Sequence, residues 1–197
     1  MFTYLWKDRL KLPFGSKVWF KQWAKRFWTL PSMLGFSWRV YRLKLRGTQI
    51  GEDSVVSRIQ LGGKPRLLQI GSNSFIGRVD IQLQANVGIG SNVCINDGVK
   101  LITASHDVRD AKWKQFAQPI RIGDHAWIAT GAVILPGVTI GRGAVVGAYT
   151  VVAKDVPNYA VATGNPVNIR DNVRNCELNY SPTRFLAFQA AWLGSPK

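Results

Sequence analysis

From Ile122 onward the aliphatic positions recur every sixth residue. Ile122, Ile128, Ile134, Ile140, Val146 and Val152 open six successive units, and the fifth place of each unit is small or β-branched: Ala126, Ala132, Val138, Ala144, Thr150 and Val156. An amphipathic helix would need apolar residues three and four apart, and a half-buried strand would alternate. A period of six instead fits a short strand followed by a sharp corner. The aliphatic first residue points into a prism, and the small fifth residue fits inside the bend. Gly, Asp and Asn at the corners permit unusual backbone angles. Three such units make one coil, and successive coils stack at roughly 4.8 Å through parallel strand pairing. No coil can bury its inner face alone, so many are needed.

A second run begins in a shifted phase at Ile81 and reads IQLQAN, VGIGSN, VCINDG, VKLITA. Partial units stand at residues 50–55 and 70–75. The period therefore organises residues 50–157. The expected layout is an N-terminal segment over 1–47, a parallel β-helix over 48–170, and a tail over 171–197 that caps the last coil or crosses to a neighbour. Residues 103–119 break the repeat, and a loop thrown out of a regular solenoid is where a site is expected.

Charge changes the picture at the N-terminus. Residues 1–47 hold eleven Lys or Arg against one acid, Asp8, in a chain whose net charge is +15. Trp19, Trp23 and Phe27 lie four apart with Lys17, Lys21, Lys25 and Arg26 between them, so this segment reads as partly helical. Its aromatics either pack on the first coil or touch an anionic lipid surface. Nucleic acid is the weaker partner, because no RNP, KH or zinc signature accompanies the basic residues. No apolar run is long enough to span a bilayer, and no secretory signal pattern opens the chain. Two cysteines make no disulfide framework, and Cys94 reads as a small buried residue of a hexad. A cytoplasmic protein, docked or not on the inner membrane face, is expected.

Only two histidines are present. His106 lies in the loop insertion between Ser105 and Asp107. His125 occupies a hexad corner, where contact with solvent or another subunit is expected. Two histidines cannot supply the three zinc ligands of the γ-class carbonic anhydrases, which share this kind of helix, and no Cys cluster compensates. No metal is expected.

Three stretches carry a resemblance: IGSNVCINDGVKLITASHD, then PIRIGDHAWIATGAVILPGVTIGRGAVVGAYTVVAKDVP, then GNPVNIR. Over 89–170 the chain resembles the hexapeptide-repeat O-acetyltransferases, above all those of colanic-acid and other surface-polysaccharide biosynthesis. The resemblance implies a left-handed β-helix, a homotrimer, and acetyl-CoA as co-substrate held in a groove between subunits. It places the catalytic base at His106, and CoA contacts at Thr130, Ala148, Ala153, Lys154 and Arg170, with the amide near Thr130 facing the thioester. Thr130 and Ala148 are one coil apart and should stack. The family's acceptor-side Asn aligns roughly with Gly77, so Asn96 and Asp97 stand in as acceptor candidates, with Asp107 and Trp113 from the loop. Trp113 and Phe116 either stack on a sugar face or cover the helix.

The expected reaction is direct attack by a sugar or polysaccharide-precursor hydroxyl on acetyl-CoA, with a His general base. Two other readings stay open: N-acylation of an amino sugar or other amine, and a membrane- or nucleic-acid-associated scaffold with no activity.

Overall fold

The repeats wind into three flat faces that enclose one apolar column. The computed structural model describes residues 2–194, with side chains from Tyr4 to Gly194. The first face stacks Gln49–Ile50, Leu68–Ile70, Val87–Ile89, Ile120–Ile122 and Thr139–Ile140. The second stacks Val55–Val56, Phe75–Ile76, Cys94–Ile95, Trp127–Ile128, Val145–Val146 and Val161–Thr163, and the antiparallel strand Asn168–Arg170 closes its far edge. The third stacks Gln60–Gly63, Asp80–Leu83, Lys100–Ile102, Val133–Ile134 and Val151–Val152. All other pairings within the faces are parallel, giving a β-helix of about six turns.

The register explains the period. Ile122 lies beside Ile140, Ile128 beside Val146, and Ile134 beside Val152. These residues and the fifth-place residues of each hexad are buried in the central column. Stacking like positions one above another builds the column, because each aliphatic side chain meets its own kind in the next coil.

The frame read from Ile81 needs correction. Ile81 is a first-place residue, paired with Leu101. Beyond it, however, Ile89, Ile95 and Leu101 stand beside Ile122, Ile128 and Ile134, so they are the first-place residues there. Val93 and Val99 take the fifth place. Ile81 and Ile89 are eight residues apart, so two extra residues at the corner between them shift the phase. Both places point inward and both are apolar, so the pattern alone could not separate the two frames.

At the corner between the first and second faces a polar ladder ties the coils together. Asp124 Oδ1 accepts from the Ser91 N–H at 2.8 Å, Ser91 Oγ from Ser72 N–H at 3.0 Å, and Ser72 Oγ from Glu52 N–H at 3.1 Å. The glycine before each polar residue is required by proximity. A Cβ on Gly123 would lie 2.7 Å from the Arg142 backbone nitrogen. One residue past the ladder the chain turns through the left-handed region, at Asp53, Asn73, Asn92, His125 and Tyr159.

Three helices cover the N-terminal end of the solenoid: α1 (Phe2–Lys7), α2 (Lys17–Leu45) and α3 (Ala187–Leu193). Ser16 caps α2 by accepting from the Trp19 N–H at 3.1 Å. Leu5, Met33, Phe188 and Trp192 pack with Val55 in a second apolar cluster. The Arg26 guanidinium is buried beside it. It donates to the carbonyls of Ala191 at 3.1 Å and Leu10 at 2.8 Å, and lies over the rings of Trp23 and Trp192. A cation beside the carbonyls that end α3 is electrostatically well placed.

Three expectations change here. The tail does not cap the last coil, which Asn168–Arg170 closes. It doubles back along the first-to-second corner and ends as α3 against α2, because the apolar side chains of α3 find their partners there. His125 is not at a solvent corner: the returning tail buries it, with the Tyr180 ring edge-on at 5.4 Å and Arg174 donating to its carbonyl at 2.9 Å. Cys94 points outward and is half-buried, since Ile95 takes the inward position. Burial still pushes its thiol up to about 11.

Candidate active site

The break in the repeat becomes an antiparallel hairpin projecting from the corner between the third and first faces. Leu101 and Ile134 are register partners 33 residues apart, whereas Ile134 and Val152 are 18 apart. The excess is the hairpin, in which Ala104–His106 pairs with Gln115–Ala117. Thr103 launches it. Its buried hydroxyl donates to the Gln82 carbonyl at 2.8 Å and accepts from the Gln84 and Ala85 amides, while its own carbonyl accepts from Gln118 N–H at 2.8 Å. The base of the hairpin is thus pinned to the preceding coil. Nothing about this threonine distinguishes it in the sequence, because its role depends on a coil that comes twenty residues earlier.

His106 ends the outgoing strand. Its Nδ1 lies 2.7 Å from the Trp113 carbonyl oxygen. A carbonyl can only accept, so Nδ1 carries the hydrogen and the neutral ring presents its lone pair at Nε2. The Trp113 indole stacks on the imidazole with centroids 4.1 Å apart and planes 24° apart. Trp113 itself has φ +49°, a backbone angle that brings its carbonyl and its ring to the same histidine. The observed contact of Trp113 is with the His106 ring and not with a face of the β-helix, and the residue is 66% exposed. The Asp107 carboxylate is turned into its own loop, accepting from Arg109 N–H at 2.9 Å.

The remaining candidates fall on two edges of the prism. Ala153 and Lys154 lie on the hairpin's edge, two coils further on, and both are exposed. Asn96, Asp97, Thr130 and Ala148 lie on the edge between the second and third faces. Thr130 and Ala148 stack as expected, with Thr130 O accepting from Tyr149 N–H at 2.9 Å. Among the described residues, neither the Thr130 nor the Ala148 backbone N–H has an acceptor. Both face solvent, and they form a short column of free donors. Arg170 ends the closing strand of the second face and is exposed.

Asp97 is committed elsewhere. Its Oδ1 accepts from Arg78 N–H at 2.8 Å and its Oδ2 pairs with the Arg78 guanidinium at 2.6 Å. The Arg78 backbone N–H, reinforced by the guanidinium, holds its carboxyl below the usual range. The expectation that Asp97 receives an acceptor is therefore weakened by a structural bond the sequence did not reveal. Asn96 Oδ1 accepts from Trp127 Nε1 at 2.8 Å. A single chain does not bring His106 to the Thr130 edge: the third face separates them by one hexad, at most about 20 Å of chain.

The bacterial transferase hexapeptide pattern (six repeats) matches residues 119–154. An Escherichia coli (strain K12) protein named for acetyltransfer in colanic acid biosynthesis is 35% identical over 159 residues, covering 80% of this chain and 87% of that one. The chain belongs to the bacterial hexapeptide-repeat transferases. It is an acyltransferase by that membership.

Solved structures agree with the assignment. A hexapeptide-repeat acetyltransferase of Vibrio cholerae, complexed with acetyl coenzyme A, superposes with a TM-score of 0.65 at 25% identity, over 87% of this chain and 99% of that one. A galactoside acetyltransferase in complex with coenzyme A gives 0.62 at 27% identity, over 83% and 86%. Among the described residues of this acyltransferase, no group of three His, Cys, Asp or Glu could hold a metal ion. No described helix is long and apolar enough to cross a membrane.

Proposed function

We propose that this acyltransferase moves the acetyl group of acetyl-CoA to a hydroxyl of a sugar or polysaccharide precursor. His106 is the general base, and the working unit is a homotrimer whose N-terminal segments face anionic lipid. The observation that carries the reading is the Nδ1 contact to Trp113 O, which leaves Nε2 as the free base. The acceptor O–H gives its proton to Nε2 as its oxygen forms a bond to the thioester carbonyl carbon. The tetrahedral intermediate collapses, the C–S bond breaks, and the CoA sulfur takes the proton back from the imidazolium. Acetyl ester and CoA thiol leave, and His106 is neutral again.

The separation of the two edges supports the trimer. A neighbouring prism laid against the hairpin would bring its Thr130 and Ala148 donors to the first chain's His106, and the developing oxyanion would meet a free backbone N–H. Lys154 and Arg170 suit the CoA phosphates, and Ala153 and Ala148 leave room for the pantetheine arm. Asn96, beside Thr130 on the same edge, is an acceptor-side candidate, as is the exposed Asp107 of the hairpin.

The test is transfer from labelled acetyl-CoA to hydroxyl and amino acceptors side by side. His106→Ala should lower O-acetylation by roughly 10²–10⁴-fold while leaving CoA binding intact. An unchanged rate, or a preference for the amine, overturns the assignment.

A further inference from the structure

Helix α2 carries two apolar sides, and the fold uses only one. Its inner side, through Arg26, Met33 and Leu43, is buried. Phe20, Phe27, Leu34 and Tyr41 recur every seventh residue, and Trp38 and Leu45 lie four beyond Leu34 and Tyr41. At the pitch of an α-helix these six fall within an arc of about 60°. Each is more than half exposed, and the ring contacts of Phe20, Phe27, Trp38 and Tyr41 are all with other residues of α2.

Beside the strip, the chain offers cations without acids. Residues 9–51 contain no Asp or Glu. Arg39, Arg42 and Arg46 on one flank of α2 converge with Arg58 of the first coil on a cleft of about 450 Å³, whose rim includes Trp38 of the strip. The ion pairs Arg78–Asp97 and Arg142–Asp124 lie elsewhere, and none of these four guanidiniums has a carboxylate partner among the described residues. Four like charges held close together without counter-ions are costly, and an anion entering the cleft relieves that cost.

We infer that the outer strip of α2 is a docking surface for an anionic phospholipid leaflet, with lipid phosphates seated in the arginine cleft. The helix lies in the interface plane: the apolar strip enters the acyl boundary, Trp38 and Tyr41 sit at headgroup level, and the arginines meet the phosphates. A second copy of the chain is the poorer occupant, because strip against strip would set two acid-free basic flanks together. This surface gives the lipid contact proposed above its residues. It does not depend on the acetyl-transfer assignment.

The full-length protein is floated with phosphatidylcholine vesicles and with vesicles that also contain phosphatidylglycerol. Binding is expected only to the second kind. Phe27→Glu and, separately, Trp38→Ser should abolish it, and Arg42→Gln with Arg58→Gln should weaken it roughly tenfold or more, given the attraction of each basic side chain to an anionic surface. Circular dichroism and CoA binding serve as controls that each variant is folded, and they also separate a failure of this surface from a failure of the active-site reading. Equal binding to both vesicle types overturns the proposal, as does wild-type vesicle binding by the folded Phe27→Glu variant. So does self-association that Phe27→Glu abolishes in the absence of lipid, which would make the strip an interface between copies. Complete displacement from vesicles by millimolar inorganic phosphate would mean the cleft serves free phosphate instead.

Discussion

The Trp113 carbonyl holds the His106 Nδ1 at 2.7 Å while the indole of the same residue stacks on the imidazole at 4.1 Å. One residue thus fixes both the tautomer and the plane of the proposed base, the first through its backbone and the second through its side chain. The two roles are separable. Trp113→Ala removes the indole and keeps the carbonyl, so kcat should fall by roughly tenfold through looser orientation. KM for acetyl-CoA should not move, and Trp113→Phe should restore most of the rate. A KM change without a kcat change would mean that Trp113 binds substrate instead.

Gly123→Ala tests the tight corner. A Cβ there would stand 2.7 Å from Arg142 N and 2.9 Å from the Gly141 carbonyl carbon, both backbone atoms that cannot swing aside. The coils must separate locally, and a loss of about 2–4 kcal/mol is expected, read as a lowered denaturation midpoint. Thr130 lies on another edge, so any folded fraction should still bind CoA.

Arg26→Ala should be costly for a different reason. It strips the Leu10 carbonyl of its donor, leaves the Ala191 carbonyl with Gln22 Nε2 alone at 2.7 Å, and removes the cation between the Trp23 and Trp192 rings. A loss of about 2–3 kcal/mol is expected from the orphaned Leu10 carbonyl and the lost packing. Limited proteolysis should show α3 released before the solenoid opens. Simultaneous loss of both would show that the helices and the solenoid form one cooperative unit.

The buried His125 makes stability depend on pH. Burial lowers its pKa from the usual value, and the Arg142 and Arg174 charges add to the effect against an opposing contribution from Asp124. Its Nδ1 has no hydrogen-bond partner among the described residues. The unfolded chain therefore binds a proton more readily than the folded one. Stability is full above about pH 6.5 and falls as the pH drops below it. His125→Gln should flatten that fall in a series of thermal melts. An equally steep fall in the variant would assign it to other groups.

The inward residues of the solenoid were legible because stacking requires the same residue type at the same place in every coil. Ile122, Ile128 and Ile134 announce their burial by recurrence alone. The same recurrence misled at Val87 and Val93, since two apolar inward places per hexad allow two frames, and only the pairing of Ile95 with Ile128 distinguishes them. His106 was legible as an interruption of a pattern. His125 was not, because its cover arrives from Arg174 and Tyr180, about fifty residues further along the chain.

The sequence by itself determined the coil, its corners and the place where it opens, since each depends on residues at most one hexad apart meeting a local steric demand. Tertiary structure alone decided what the open place contains and what the termini do. The tautomer of His106 depends on a hairpin folding Trp113 back onto it. The engagement of Asp97 depends on Arg78 in the coil below. The burial of one side of α2, and the exposure of the other, depends on a tail that travels the length of the prism to reach it. His106 with Trp113, and α2 with the tail, are separated by no period of the chain; Asp97 and Arg78 are one coil apart, but their pairing rests on side chains that the repeat leaves free to vary.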